Sequence, residues 1–360
     1  MKYSNKMVHT ADIHFSERTY KDIIKPFNEF LDFVKKEKPM FVIISGDYYD
    51  KVIENKNPLY VETIDYLIDI SYNCKYLIIL RGTLSHDYYN LNILNTISSL
   101  KNNIYFFDKK TDIKIDNFNF LILPEEYHLN MEEYYKDIYN EEYDFVIGHG
   151  MLSGAKMHDN IDNIKLKSFM FNVERLEQIT KHFVLFGHIH IPQKLGKKTF
   201  YSGSLARWQF GEEHKKSFNV INLDDFSINF VDIKSLTNYK TITEEDLISI
   251  PEEKLIEDIK KAEIRFKGSK YNNNIKKILD KINIEKNIKY LDTDINLKIS
   301  EFLDNNLLHK SIENLSINEQ FIDLNKKYVN KIKNKKQKTI LTNSKMFDKI
   351  KKISNIELKD

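Results

Sequence analysis

Five short stretches of this 360-residue chain carry side chains suited to holding cations: Asp12-Ile13-His14, Gly46-Asp47-Tyr48-Tyr49-Asp50, Gly82 followed by His86-Asp87, Gly148-His149, and Gly187-His188-Ile189-His190. Alternate residues of an extended segment point to one side, so Asp12 and His14 can reach a single metal. Taken alone, that triplet is a weak signal and reads more readily as a surface turn. An aspartate at a strand's end can set one oxygen on each of two cations, which makes Asp47 a candidate bridge; the plain alternative is a helix N-cap. His149, His188 and His190 add three imidazoles. A lone histidine beside a strand is more often a satisfied structural residue than a ligand. Two glycine–histidine pairs, one with a further histidine two residues on, are harder to dismiss. Imidazole and carboxylate in this number suit Mn²⁺, Fe²⁺ or Zn²⁺ rather than Ca²⁺, and the lack of cysteine ligands argues against a structural zinc knot. Such a set would do hydrolysis. Two cations ~3.5–4 Å apart bind phosphate oxygens, lower the pKa of a bridging water and stabilise both ends of an in-line displacement, with no covalent enzyme intermediate.

Side chains so far apart in sequence need a scaffold that gathers them. Short apolar runs recur at 41–44, 76–80, 120–123, 145–147 and 183–186, and helical stretches at 23–36 and 60–70 carry apolar residues at three- and four-residue steps. Four of the runs end in glycine followed directly or shortly by Asp or His. In α/β sheets ligands bind outside the carboxyl ends of strands, where side chains from several strands converge. Glycine there lets the backbone turn sharply and come close. Alternation of α and β is the expectation over the first two-thirds of the chain.

The ordered set Asp-x-His, Gly-Asp-x-x-Asp, His-Asp, Gly-His, Gly-His-x-His resembles the calcineurin-like metallophosphoesterases. Within them the chain looks like the SbcD-type DNA-repair nuclease subunits, phage-encoded relatives included. Ser202-Gly203-Ser204-Leu205-Ala206-Arg207-Trp208, continued by Phe210-Gly211-Glu212, is similar to a Gly-Ser-x-x-Arg stretch of those nucleases. The resemblance spans about residues 6–235. It implies a two-sheet α/β sandwich flanked by helices, with Asp12, His14 and His190 on one cation, His149 and His188 on a second, and Asp47 between them. It also implies that His86, paired with Asp87, sits by the scissile phosphate as general acid or transition-state stabiliser. Mn²⁺ is the expected cation, with Mg²⁺, Fe²⁺ or Zn²⁺ as alternatives. Two departures stand out. Cellular members usually have Gly-Asn-His-Asp, with the asparagine on the second metal, where this chain has Gly82-Thr83-Leu84-Ser85-His86-Asp87; many also have His in place of Asp50. If His86-Asp87 keeps its usual place, Ser85 takes the position of the asparagine, and a hydroxyl too short to reach the cation leaves the second site the weaker one.

The chain is long enough for two or three domains. We expect a nuclease domain over 1–235, a small α/β capping or DNA-binding domain over 236–300, and a helical, lysine-rich tail over 301–360. In the capping region, 262–267, 275–282 and 288–291 suggest a strand–helix–strand module. Ser316-Ile317-Asn318-Glu319 is a capping-box pattern, opening an apolar stripe through Phe321, Leu324 and Tyr328; a second stripe runs through Met346, Ile350 and Ile353. These are core helices or a partner surface. By resemblance the partner is the coiled-coil root of an SbcC-like ATPase. A net charge of +2 says nothing firm about nucleic acid, but 326–338 holds seven lysines and no acidic residue, which either contact DNA phosphates or solvate a helix. Trp208, the only tryptophan, reads as a core residue more readily than as a substrate contact. No run approaches the ~18–20 apolar residues of a membrane span, no signal peptide is visible, and the single cysteine, Cys74, argues for a reducing compartment. The expectation is therefore a cytoplasmic, metal-dependent DNA nuclease of recombination and repair, with DNA and the ATPase as partners, a homodimer as an option and no membrane contact. Its rivals are a small-substrate phosphatase or phosphodiesterase and a non-catalytic DNA-end-binding subunit.

Overall fold

The computed structural model describes residues 2–156, 169–207, 210–251, 254, 262–268 and 289–292. Each apolar run of the sequence lies within a strand. The first sheet contains β1 (Ser4–Thr10), β2 (Pro39–Ser45), β3 (Tyr76–Leu80) and β4 (Ile104–Phe107), all parallel. The second contains β5 (Thr111–Ile115), β6 (Phe118–Leu123) and β7 (Tyr143–His149). After a two-stranded pair, β8 (Met151–Leu152) and β9 (Met170–Phe171), the second sheet is completed by β10 (Thr180–Gly187), β11 (Gln193–Lys194) and β12 (Thr199–Tyr201). Then β13 (Ser217–Asn222) and β14 (Ile228–Asp232) return to the first sheet as antiparallel strands, giving the orders β14-β13-β1-β2-β3-β4 and β11-β12-β10-β7-β6-β5.

The runs 41–44, 145–147 and 183–186 of the central strands are apolar on every residue because both faces are covered. Successive side chains alternate faces. Phe41 and Ile43 therefore join Ile78, Phe120, Phe145, Ile147 and Leu185 in the core between the two sheets. Their neighbours Val42 and Ile44 pack outward under the helices with Phe27, Phe30 and Leu67. Val146 and Val184 do the same on the other side, against Tyr135 and Leu176. The outer helices are α1 (Tyr20–Glu37) and α2 (Pro58–Tyr72), slightly longer than their periodic cores. Helix α1 buries Ile23, Phe27, Phe30, Leu31 and Val34 and stops where Lys38 turns left-handed at φ +45° ahead of Pro39. Helix α2 starts at Asn57, whose side chain accepts the Leu59 amide, with proline in the first turn.

The chain divides into two compact units, 1–266 with 278–289 and 267–277 with 290–360. Strands β15 (Tyr239–Thr243) and β16 (Glu263–Gly268) follow the sandwich, and β17 (Lys289–Asp292) stands where the second strand of the expected small module falls. The helix expected over 275–282, both apolar stripes of the tail, the lysine run and Trp208 lie outside the described residues.

Candidate metal centre

The loops that leave β1 and β2 are zipped together. Asp12 N donates to Gly46 O (3.1 Å), His14 N to Asp47 O (3.0 Å), and Phe15 N to Tyr48 O (2.9 Å). The segment 12–14 is not extended, in contrast to what alternation of side chains predicts. Strand β1 ends at Thr10, and Asp12 and His14 both hold positive φ, +52° and +59°. Asp47 (+50°) and His188 (+102°) do likewise. Each such non-glycine position costs on the order of 1–3 kcal/mol, and clusters of them mark places where the chain is bent to a task. Glycine makes room for the bends. A Cβ on Gly46 would lie 2.4 Å from His149 Nδ1, and one on Gly82 would lie 2.2 Å from the Asp47 amide.

The outcome is that six of the eight sequence candidates fall into two adjoining groups. In the first, donor atoms of Asp12, His14 and His190 all lie within 4.8 Å of one another; in the second, those of Asp47, His149 and His188 do. Asp47 Oδ2 reaches toward both, 3.3 Å from His149 Nε2 and 3.9 Å from His14 Nε2. His14 Nε2 and His190 Nε2 face each other at 3.0 Å. The imidazoles are aimed by their other nitrogens. His149 Nδ1 donates to Ser45 O (2.7 Å), and His190 Nδ1 donates to the buried carboxylate of Glu212 (2.8 Å), which leaves each Nε2 as the nitrogen that could hold a metal. The Glu212 carboxylate is itself held by buried Lys216. The Asp12 carboxylate accepts the His188 amide at 2.9 and 3.0 Å.

Burial governs the charges. It pushes Asp12 up to about 6 and His188 down to about 4, the latter helped by the charge on His149. Burial works against a charged His149 too, but Asp47, Asp12 and Glu125 outweigh it and hold that ring up at about 10. Burial likewise opposes ionised Asp47, yet His149 beside it keeps its carboxyl well below the usual range. Without a cation, then, a proton on His149 balances the carboxylates. His149 Nε2 and His188 Nδ1 are nonetheless buried without a hydrogen-bond partner. Orphaned, inward-aimed nitrogens beside ionised oxygens fit divalent cations that accept mixed N and O donors.

The 82–87 loop departs from expectation. Ser85 is exposed. Thr83, not Ser85, lies against the centre: its amide donates to Asp47 Oδ1 (2.7 Å) and its hydroxyl to Glu125 Oε2 (2.8 Å). Asn90 is tied to the backbone of Ile53 through both of its polar atoms. His86 stands beside the first group, its ring 4.9 Å from that of His14. Buried Asp87 accepts the backbone amides of Tyr49 (3.0 Å) and Gly82 (2.8 Å), fastening the loop to the one that carries Asp47. Asp50 accepts from Ser16 and Arg18. Arg207 donates to the carbonyls of Glu213 and His214.

Three residues near the centre carried little or no signal in the sequence. Glu125 follows β6, 3.8 Å from His149 Nε2 and 3.7 Å from His188 Nδ1. It closely follows an apolar run, as Asp47, His149 and His188 do, but without their glycine. Thr83 and Glu212 were visible only as neighbours of recognised motifs. Beside the second group opens a cleft of about 570 Å³, lined by Tyr127, Tyr135, Phe169 and Phe171 among others.

Among known proteins, relatives include the SbcD subunit of the SbcCD nuclease of Staphylococcus epidermidis, 25% identical over 285 residues, which cover 66% of this chain and 72% of that one. The protein of the same name from Staphylococcus saprophyticus subsp. saprophyticus is 24% identical over 277 residues, covering 66% and 71%. A solved structure described as a novel archaeal phosphodiesterase is 11% identical, with a TM-score of 0.35, and covers 63% of this chain and 99% of that one. The family model for calcineurin-like phosphoesterase matches residues 6–192, more than half of the chain and all six clustered side chains. This chain therefore belongs to the calcineurin-like phosphoesterase family, and is a metal-dependent hydrolase.

Proposed function

We propose that the chain is a Mn²⁺-dependent DNA nuclease subunit of recombination and repair that works with an SbcC-like coiled-coil ATPase. One observation carries the reading: six imidazole and carboxylate side chains from both sheets converge in two groups around Asp47. Asp12, His14 and His190 would hold one cation, His149 and His188 the other, with Asp47 between them. When bound, such cations would lower the pKa of a bound water and offset charge on the phosphate. The chain's own residues do the rest. Water adds to phosphorus and gives up a proton to solvent, the ester P–O bond breaks, and the departing oxygen takes a proton from His86, which regains one from solvent. Asp87 acts as a positioning residue for that histidine, through the loop it fastens.

DNA is the favoured substrate because the relatives are nuclease subunits by name. The domain plan extends the same reading: residues 1–235 cut, 236–300 cap the site or touch DNA, and 301–360 bind the ATPase, with a homodimer as a further level of assembly. A second reading, a small-substrate phosphodiesterase, is favoured by the aromatic cleft, large enough for a single nucleotide. Labelled double- and single-stranded DNA, incubated with Mn²⁺ with and without chelator beside a generic phosphatase substrate, separates them. Chelator-sensitive DNA cleavage with slow turnover of the small substrate is expected. The reverse pattern supports the second reading, and no hydrolysis of either refutes the nuclease reading.

A further inference from the structure

We propose that Glu125 is the fourth protein ligand of the second cation, taking over from the asparagine that the 82–87 loop lacks. The inference rests on the two-cation reading above. The carboxylate is divided between two tasks: Tyr127 donates its hydroxyl to Oε1 (2.5 Å), while Oε2 accepts the Thr83 hydroxyl (2.8 Å) and faces the imidazoles. From Oε2 it is 3.8 Å to His149 Nε2 and 3.7 Å to His188 Nδ1. These separations are too long for hydrogen bonds. They are close to the spacing of neighbouring donors around one ion, ~3.4 Å for ligand bonds of ~2.1 Å in a tetrahedral shell. A further observation points the same way: His149 Nε2 and His188 Nδ1 are both buried without a contact of hydrogen-bond geometry, His149 Nε2 lying between Asp47 Oδ2 at 3.3 Å and Glu125 Oε2 at 3.8 Å.

The adjacent Glu126 has the same chemistry and a different use. Its carboxylate accepts the Lys110 amide (2.7 Å) and the Tyr134 hydroxyl (3.0 Å), away from the centre. Thr83 explains why the loop can dispense with asparagine. Its backbone amide steadies Asp47, and its hydroxyl aims Glu125, so the loop orients a ligand in place of contributing one. With Glu125 counted, the groups match: Asp12, Asp47, His14 and His190 on one side, Glu125, Asp47, His149 and His188 on the other. Two carboxylates and two imidazoles each give the cations similar charge compensation. The second site is then no weaker than the first, the opposite of what a serine in the asparagine's place implies.

The experiment is Mn²⁺ titration of the metal-free full-length protein, followed by calorimetry and by electron paramagnetic resonance, with no substrate present. Native protein should bind two ions with affinities within about tenfold of each other. Glu125→Gln, which keeps the shape and removes the charge, should keep one native site and weaken the other by ~100-fold or more, with loss of the coupled two-ion signal. Glu125→Asp should fall between, and it keeps the test decisive if the glutamine variant does not fold. Two native-affinity sites in the folded glutamine variant, or in the aspartate variant should the glutamine one not fold, overturn the assignment of Glu125 and leave the two-cation reading standing. A native protein that binds one ion or none overturns both.

Discussion

Replacing Gly82 by alanine tests the packing that brings the two groups together. The added Cβ would stand 2.2 Å from the Asp47 amide nitrogen and 2.3 Å from its Oδ1, where ordinary contacts begin at 3.4 Å. Relief requires a shift of ~1 Å, and the nearest atom is backbone, so no side-chain rotation can supply it. Overpacking of this kind costs ~1–3 kcal/mol of stability. The functional cost is larger, because the Thr83 amide that holds Asp47 Oδ1 at 2.7 Å belongs to the next residue and moves with the loop. A ~1 Å misplacement at a reacting centre lowers rate by ~10²-fold. Gly154→Ala is the control. It has nothing within 4 Å but a φ of +81°, so it should lose ~1–2 kcal/mol to backbone strain with no change at the centre. Manganese content after gel filtration, DNA cleavage rate and thermal melting should be measured on both variants. A Gly82→Ala protein with native metal content and native rate would refute the close approach of the two loops.

Other substitutions probe separate parts. Asp47→Ala should abolish cleavage and lower metal content, since the Asp47 carboxylate reaches toward both groups; full occupancy in the variant would sink the bridging assignment. His86→Gln should keep native metal content while slowing turnover by ~10²-fold or more, as loss of a general acid does, and a native rate would remove His86 from the reaction. His9 governs a pH effect on stability. Burial pushes its ring down to about 3, and the neutral form bridges Ser45 Oγ (2.7 Å) and Asn219 Nδ2 (3.1 Å). An unfolded histidine titrates near ~6.5, so this stability is complete above that pH and is lost as pH falls toward 3. Between pH 7.5 and 5 the loss is ~2 kcal/mol. Denaturant titration of native protein and His9→Gln at both pH values should show the variant losing that much less; equal losses would contradict the assignment.

Much of the site was legible from sequence because ligand chemistry is a property of residue type. Asp47, His149, His188 and His190 follow short apolar runs that end in glycine, Asp12 and His14 form an Asp-x-His triplet, and each could be recognised before any distance was known. The strands were legible for a related reason. A run such as 41–44, apolar on every residue, is stable only with both faces covered, and Phe41 and Val42 do enter different cores. What such a run does not encode is its sheet. β2 and β7 read alike in sequence, yet one joins each sheet, and only the packing of those sheets sets His149 Nε2 3.3 Å from Asp47. The extended segment inferred from Asp-x-His is a pair of left-handed turns, because the hydrogen bonds that fix it come from the Gly46–Asp47 backbone. Glu125 and Glu126 are indistinguishable as letters. Tertiary contacts alone turn one toward His149 and His188 and the other toward Lys110 and Tyr134. Local sequence decides which atoms can bind a cation, whereas the few ångströms that decide whether they do depend on contacts between residues tens of positions apart.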